Sequence, residues 1–242
     1  MQTDVIKGAP GALKMKALRA AFPYTLPVLS GFLVLGMAYG VLMSSKGYGF
    51  LWSGLVSLFV FAGSMQFVAV GMMAGGLEPV SLLLMTIMVN ARHVFYGLSL
   101  LEKYRNTGWM KGYLIFGLCD ETYSILCSTD APQGVDRRWF MFFVTLLDHS
   151  YWVAGSAIGG LLGMAIPFNV AGVEFSLTSL FVVIFVSQWQ GAGDRLPSLI
   201  GIAGAVFCRL IFGADGFLIP AMLVILLSVT GLRKPLERRQ EG

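Results

Sequence analysis

The sequence predicts an all-α fold, a polytopic transmembrane helical bundle, and three observations predict it. Of 242 residues, 56% are AVILMFWYC and only 12% are charged, with mean hydropathy +0.75; soluble chains carry about 25% charged residues. The charges avoid the middle: five lie in the first 23 residues and six in the last ten. Between them, apolar runs with short polar interruptions each approach the roughly 20 residues that cross a hydrocarbon core about 30 Å thick. Seven or eight such runs fill the chain, leaving no room for a soluble catalytic or ligand-binding domain. The expected organisation is a basic cytoplasmic segment over 1–23, one transmembrane domain over 24–231 and a basic cytoplasmic tail over 232–242.

The first span is expected from about Thr25 to Met43, with Pro23 and Pro27 near its start, where a missing N–H costs least. Gly36 and Gly40 form a GxxxG pair suited to close helix contact. The second covers about Leu51 to Met73, and Ala62-Gly63-Ser64-Met65-Gln66 marks a helix break at its centre. The third, Pro79 to Leu101, carries Asn90, Arg92 and His93 in mid-span. The fourth, about Gly112 to Cys127, is short and carries Asp120 and Glu121. The fifth, Trp139 to about Met164, holds Asp148 and His149, then Gly155, Gly159 and Gly163 on one stripe. Three more run from about Leu177 to Trp189, Leu196 to Phe212 and Phe217 to Thr230.

Eight crossings put both basic tails on the cytoplasmic side, as the positive-inside rule favours. They also put Lys103, Arg105 and Lys111 outside, against that rule. Either the second span is a re-entrant hairpin or a later segment does not cross. Cys119, Cys127 and Cys208 show no metal-ligand spacing and read as small core residues, not a disulfide framework. The N-terminal apolar run lacks a signal-peptide exit and reads as an uncleaved first span. A basic stretch from Lys7 to Arg19 suits either a surface helix or a disordered tail. Phe61 to Gln66 and Val89 to Phe95 are echoed by Phe185 to Gln190 and Val206 to Phe212. Either this is an internal repeat of the kind transporters use, or it is a chance match of apolar segments.

Seven ionisable residues fall inside the expected spans: Arg92, His93, Asp120, Glu121, Asp148, His149 and Arg209. Five formal charges left facing lipid would cost roughly 12–18 kcal/mol on the translocon scale. They must pair, neutralise or line a wet cavity. Helical spacing places Thr86, Asn90, His93 and Gly97 on one face of the third span, with Arg92, Tyr96 and Ser99 on the adjoining face. Asp120 shares a face with Tyr123, and Asp148 with Tyr151 and Trp152. Each group also has a structural reading: Arg92 can form a buried ion pair with Asp120 or Asp148, the histidines can bond backbone carbonyls, Gln66 can cap the break, and Arg209 can snorkel to the surface.

The motifs Ala62-Gly63-Ser64-Met65-Gln66, Asn90-Ala91-Arg92-His93-Val94-Phe95-Tyr96-Gly97, Asp120-Glu121-Thr122-Tyr123 and Asp148-His149-Ser150-Tyr151-Trp152 resemble the AzlC family of bacterial inner-membrane proteins in order and spacing, over almost the whole chain. The resemblance implies the larger subunit of a two-component exporter of branched-chain amino acids, with a small AzlD-type membrane partner of about four spans. Its implied substrates extend to methionine and toxic analogues such as azaleucine. It supplies no residue roles; those rest on chemistry. A neutral amino acid has a carboxylate, an ammonium and an aliphatic tail. Arg92, or the N–H groups freed at Gly63 and Ser64, suit the carboxylate. Asp148 or Asp120 suits the ammonium. Gln66, Asn90, Tyr96 and Trp152 complete the candidate substrate site, with Trp152, Phe and Met side chains covering the tail. Asp120 with Glu121, and His93, are the candidate proton-coupling groups. No metal, cofactor or nucleic acid is expected. An intramembrane hydrolase would need a signature such as HExxH or GxSxG, and neither is present. An ion or solute channel is the other alternative, against which the mixed signs of the buried charges weigh.

Overall fold

The computed structural model describes residues 10–74, 79–165, 175, 178–179, 182, 185–186, 189 and 195–232. Most of the expected sixth span, the Ser187-Gln188 and Gln190 part of the echo, and the end of the basic tail lie outside them. The chain divides into two compact units, Met1–Leu177 and Thr178–Gly242.

The first unit is organised by two long helices, α1 (Pro10–Ser45) and α8 (Arg137–Ala165). They run parallel. Lys14 stacks over Trp139 near their starts, Thr25 and Tyr151 hydroxyls lie 3.1 Å apart further along, and Ser44 donates to the Gly160 carbonyl at 2.8 Å near their ends. Small residues make this approach possible. A Cβ at Gly36 would come within 3.0 Å of the Ser156 backbone, and one at Gly155 within 2.9 Å of the Phe32 carbonyl. The expected GxxxG pair and the Gly155, Gly159, Gly163 stripe thus face each other. The start of α1 differs from expectation. The helix begins at Pro10, so Pro23 and Pro27 lie inside it. Residues 11–22 are mostly Ala, Leu, Lys and Met, strong helix formers, and Ala17 and Ala21 are fully buried. Burial and propensity together carry the helix through two prolines.

The expected second span is two half-helices, α2 (Phe50–Phe59) and α3 (Gly63–Ala74). At 1.5 Å per residue they reach only about 15 and 18 Å, too short to cross. α2 runs back along α8: Phe50 lies against Gly160, Gly54 against Ala157, and Ser57 donates to Ser156 at 2.7 Å. The chain then reverses at Val60–Ala62, where Phe61 adopts φ 43°, a conformation rare for a bulky L-residue. α3 leaves parallel to α1, with Gly63 against Trp152 and Phe67 against Tyr39. This is a re-entrant hairpin that enters and leaves at the end where α1 finishes.

The third expected span is α4 (Pro79–Asn90) followed by α5 (Arg92–Ser99), joined through Ala91, whose dihedrals remain helical. Residues Leu82–Ser99 form one helix long and apolar enough to cross a membrane, as do Gly11–Ser45 and Leu196–Gly213. The fourth expected span is again broken. It consists of α6 (Met110–Phe116) and α7 (Asp120–Ser128), about 10 and 14 Å long. α6 runs with α8, from the Trp109–Phe142 contact to Phe116 against His149. α7 returns, from Thr122 bonded to Asp148 down to the Leu126 carbonyl bonded by Lys103. A Cβ at Gly117 would overlap the Thr145 methyl, so glycine lets this tip lie against α8. This second hairpin opens at the opposite end, where α1 begins.

That arrangement bears on the loop that strained the eight-crossing count. Lys103 bonds the end of α7 and pairs with Asp130 at 3.0 Å, and Arg137 at the start of α8 donates to the Lys103 carbonyl. The basic loop therefore shares an end with the basic start of α1. Both alternatives set out above have a structural counterpart: the second and the fourth expected spans are each a hairpin of two half-helices too short to cross. The Lys103 ammonium also holds the Asp130 carboxyl below its usual range.

In the second unit, α9 (Leu196–Gly216) packs on α10 (Leu218–Gly231), with Gly204 against Ile225 and a kink at Gly213, φ 74°. The Arg209 guanidinium stands 5.5 Å from the Phe217 ring, a cation–π contact at the edge of the span. All three cysteines are free; Cys208 is buried and Cys119 partly so, but Cys127 is exposed, contrary to the expectation of a core residue. It lies on the outer face of the short α7, away from α8.

Candidate functional site

The tips of the two hairpins meet halfway along α8. The Phe61 ring lies 4.5 Å from that of His149, tilted by 47°, and 6.4 Å from that of Phe116. Around this meeting point the structure arranges the polar candidates into three groups.

The first joins both tips. Arg92 binds Asp120 through two contacts, Nε to Oδ1 and Nη2 to Oδ2, each 2.8 Å. Nη2 also donates to Ser64 Oγ at 3.1 Å, and Tyr96 donates to Asp120 Oδ1 at 2.7 Å. Ser64 opens α3 and Asp120 opens α7, so one guanidinium clasps the starts of two half-helices. The planar fork of arginine suits this two-point contact. The side chains are 30% and 21% exposed, partly open to solute. The spacing argument that put Arg92, Tyr96 and Ser99 on one face holds, because all three meet α7: Tyr123 stacks on Tyr96 at 4.3 Å and donates to Ser99. Of the two acids offered for Arg92, the partner is Asp120. Glu121 follows in the same first turn of α7, half-buried.

The second group is sealed. Trp152 Nε1 donates to Gln66 Oε1 at 2.9 Å, Gln66 Nε2 to Ser57 Oγ at 3.0 Å, Ser57 to Ser156, and Ser156 back to the Trp152 carbonyl. All four residues are buried. A chain of satisfied donors and acceptors in low dielectric fixes its members rigidly. Gln66 therefore does more than cap a break: it bolts the first hairpin to α8. Ser57 and Ser156 were not singled out from sequence; hydroxyls in apolar helices were the available signal.

The third centres on Asp148, which is completely buried. Its Oδ2 accepts from Thr122 at 2.9 Å, and Oδ1 has no partner among the described residues. The aromatic wall expected beside it is not assembled around it: Tyr151 turns to Thr25 and Trp152 to Gln66. His93 Nδ1 lies 3.1 Å from the Asn90 carbonyl one turn back, and His149 Nδ1 meets the Tyr113 hydroxyl at 3.0 Å.

Beside these groups lies a cavity of about 240 Å³ between α1, the first hairpin and α4, lined by Tyr39, Met43, Val56, Met65, Gln66, Ala69, Met73, Thr86 and Asn90 among others. Gln66, Ala69 and Met73 share one face of α3, whereas Ser64 meets Arg92 on another. Gln66 and Asn90 are thus the candidate residues that touch the cavity. No group of three or more His, Cys, Asp or Glu with metal-site geometry occurs among the described residues.

Comparison with known proteins gives this arrangement a family. The AzlC protein family model matches residues 27–166. The chain is 51% identical over 224 residues to the Bacillus subtilis branched-chain amino acid transport protein AzlC, covering 93% of this chain and 88% of that protein. It is 44% identical to an uncharacterised membrane protein of Haemophilus influenzae, over 94% of this chain and 93% of the relative. It is 28% identical to the Escherichia coli inner membrane protein YgaZ, over 75% and 76%. No solved structure matches. A match across both hairpins, the clasping arginine and the whole of α8 places the boundaries of the likeness around the site just described, and the chain belongs to the AzlC family.

Proposed function

We propose that this chain is the larger subunit of a secondary transporter that exports branched-chain amino acids, valine, leucine and isoleucine with methionine or analogues, from a bacterial cell across its inner membrane, together with a small AzlD-type partner. The named function of the Bacillus subtilis relative supports the substrate class. The observation that carries the chemistry is the Arg92–Asp120 pair. It is bidentate, lies at the junction of two half-helices, and is partly exposed. A zwitterionic amino acid is also a bound pair of opposite charges. Its carboxylate can take the place of Asp120 on Arg92 while its ammonium meets the released Asp120. Two charge-assisted contacts replace two, with no change in net charge, so the desolvation cost of an unpaired ion is avoided. Half-helix starts are where carriers hold anionic groups, and Gly63 and Ser64 supply one here.

The exposure of Asp120 favours it over Asp148 as the ammonium ligand in this conformation. Asp148, with Thr122 as its hydroxyl donor, serves a different state of the cycle. Proton coupling is assigned to the Asp120–Glu121 pair, with His93 as the second carrier. No step requires a bond to be made or broken in the solute, so the chain is not an enzyme.

The test is counterflow into proteoliposomes containing this chain and its candidate small partner, preloaded with leucine and offered labelled valine, with and without a pH gradient. Saturable, leucine-dependent uptake that the pH gradient accelerates is the expected result. Conductance without saturation or counterflow would replace the carrier with a channel. Counterflow indifferent to pH in wild type would remove the proton-coupling assignment alone.

A further inference from the structure

The 240 Å³ cavity is not accounted for by the ion pair, which lies on the other face of α3. Its shape follows from its lining. Gln66, Ala69 and Met73 span two turns of α3 beyond Ala62 at the tip, and Leu82, Thr86 and Asn90 a little over two turns of α4. The space is therefore elongated along the helices, about 12 Å from end to end at 1.5 Å per residue. The two ends differ in chemistry. The tip end carries the Gln66 and Asn90 amides; the far end carries Met73 and Leu82, with Met43 and Val56 along the wall. Asn90 lies two residues before Arg92 and Ala62 two before Ser64, so the amide end lies within a turn of helix of the clasped ion pair. Gln66 is held on both sides by Trp152 and Ser57, which fixes the wall at that end. The apolar wall is soft: three of its side chains are methionines, which adapt to differently branched contents.

We propose that this cavity receives the aliphatic side chain of the transported amino acid, and that Ala69 and Met73 set the size it accepts. The inference rests on the transport reading above and adds the residues that determine specificity. Ala69 is the smallest side chain in the middle of the cavity and Met73 the longest near its end. The volume lies below the roughly 300–1,000 Å³ of pockets that enclose drug-sized ligands, which suits one amino-acid side chain and is too small for a two-tailed lipid. A longer residue at 69 closes the middle, and a shorter one at 73 opens the end.

The test compares wild type, Ala69→Leu, Met73→Ala and the control Ile87→Ala, an exposed α4 residue outside the cavity lining, by counterflow of labelled alanine, valine, leucine, methionine and phenylalanine, with parallel binding of labelled leucine to the purified protein. Ala69→Leu is expected to cut leucine and methionine by about 10-fold or more, the discrimination a few methylenes provide, while alanine persists. Met73→Ala is expected to gain phenylalanine, a gain that misfolding cannot produce. Ile87→Ala should match wild type. If wild type transports amino acids and both cavity variants, monodisperse and correctly inserted, keep its substrate order, the cavity proposal is overturned and the transport reading stands. If Ala69→Leu merely releases co-purified lipid without a change in order, the cavity holds an acyl chain and the proposal is likewise overturned. If wild type neither transports nor binds any amino acid, the transport reading falls and takes this inference with it.

Discussion

Replacing Gly155 by alanine tests whether the α1–α8 seam organises the first unit. The added Cβ would stand 2.9 Å from the Phe32 carbonyl and 3.0 Å from that of Leu33, both backbone atoms that cannot rotate away. Ordinary contact begins at 3.4 Å, so the helices must part by about 0.5 Å. A gap of that size forfeits roughly a quarter of the dispersion attraction of the atoms along the seam. Overpacking of this kind costs about 1–3 kcal/mol, offset by the ~0.5–1 kcal/mol that alanine gains over glycine in a helix. The net expectation is a loss of up to about 2.5 kcal/mol. Gly31→Ala is the matched control: it sits exposed on α1 with nothing within 4 Å of an added Cβ, so it should be neutral or gain up to ~1 kcal/mol. The assay is unfolding in mixed micelles with rising SDS, followed by tryptophan fluorescence, since Trp152 lies one turn from Gly155. Gly155→Ala as stable as Gly31→Ala would refute the seam.

The hairpin topology predicts that single cysteines at Arg105 and Asp130, in a background lacking the native thiols, react with an impermeant maleimide from the same side as one at Lys16, and from the opposite side to one at Gly47; Arg105 and Gly47 labelled together would exclude it. Arg92→Ala and Asp120→Asn should each abolish counterflow, and each leaves a partly exposed partner uncompensated, with a stability loss of about 1–2 kcal/mol, less than the ~3–5 kcal/mol of breaking a fully buried pair. Retained counterflow in Asp120→Asn would shift the ammonium role elsewhere. Asp148→Asn keeps an acceptor for Thr122 and should fold while losing transport, whereas Thr122→Val should lower stability by about 1–3 kcal/mol by stranding a buried oxygen; a fully active Asp148→Asn protein would reduce Asp148 to a structural role.

Much of this was legible in the chain, and the failures have physical causes. Hydropathy reveals membrane class because lipid tolerates few exposed polar groups. Small-residue spacing marked Gly36 with Gly40, and Gly155, Gly159 and Gly163, as faces for close contact, and the structure pairs the two faces. Helical spacing grouped Arg92 with Tyr96, and Gly63 flagged the first break to within three residues. The second break was not legible. Gly117-Leu118-Cys119 continues the apolar run before it and has no proline, and hydropathy has no direction: a run that crosses and a run that turns back have the same average. The choice of Asp120 over Asp148 for Arg92 also lay beyond spacing, because it depends on α5 and α7 running side by side. Pro23 and Pro27 misled because propensity rules place proline at helix starts, whereas burial of Ala17 and Ala21 extended the helix beyond them.

The two hairpins matter together because they enter from opposite ends. One opens where α1 finishes and the other where it begins, and their tips touch through Phe61 and Phe116. Arg92 holds Ser64 on the first tip and Asp120 on the second. On the proposed function, a solute that inserts into the ion pair replaces the contact to the second tip and leaves the contact to the first. It thereby loosens the hairpin facing one end without loosening the other. Gln66 strengthens this asymmetry, since it bolts the first hairpin to α8 through a buried polar network with Trp152 and Ser57, whereas α7 of the second hairpin has one polar bond to α8, Thr122–Asp148, beside its apolar packing and the Tyr113–His149 bond of α6. A carrier needs such unequal coupling, because two barriers that open together make a channel. On the proposed function, α7 of the second hairpin is the element that moves when solute binds, and the Thr122–Asp148 bond is the polar contact it must break.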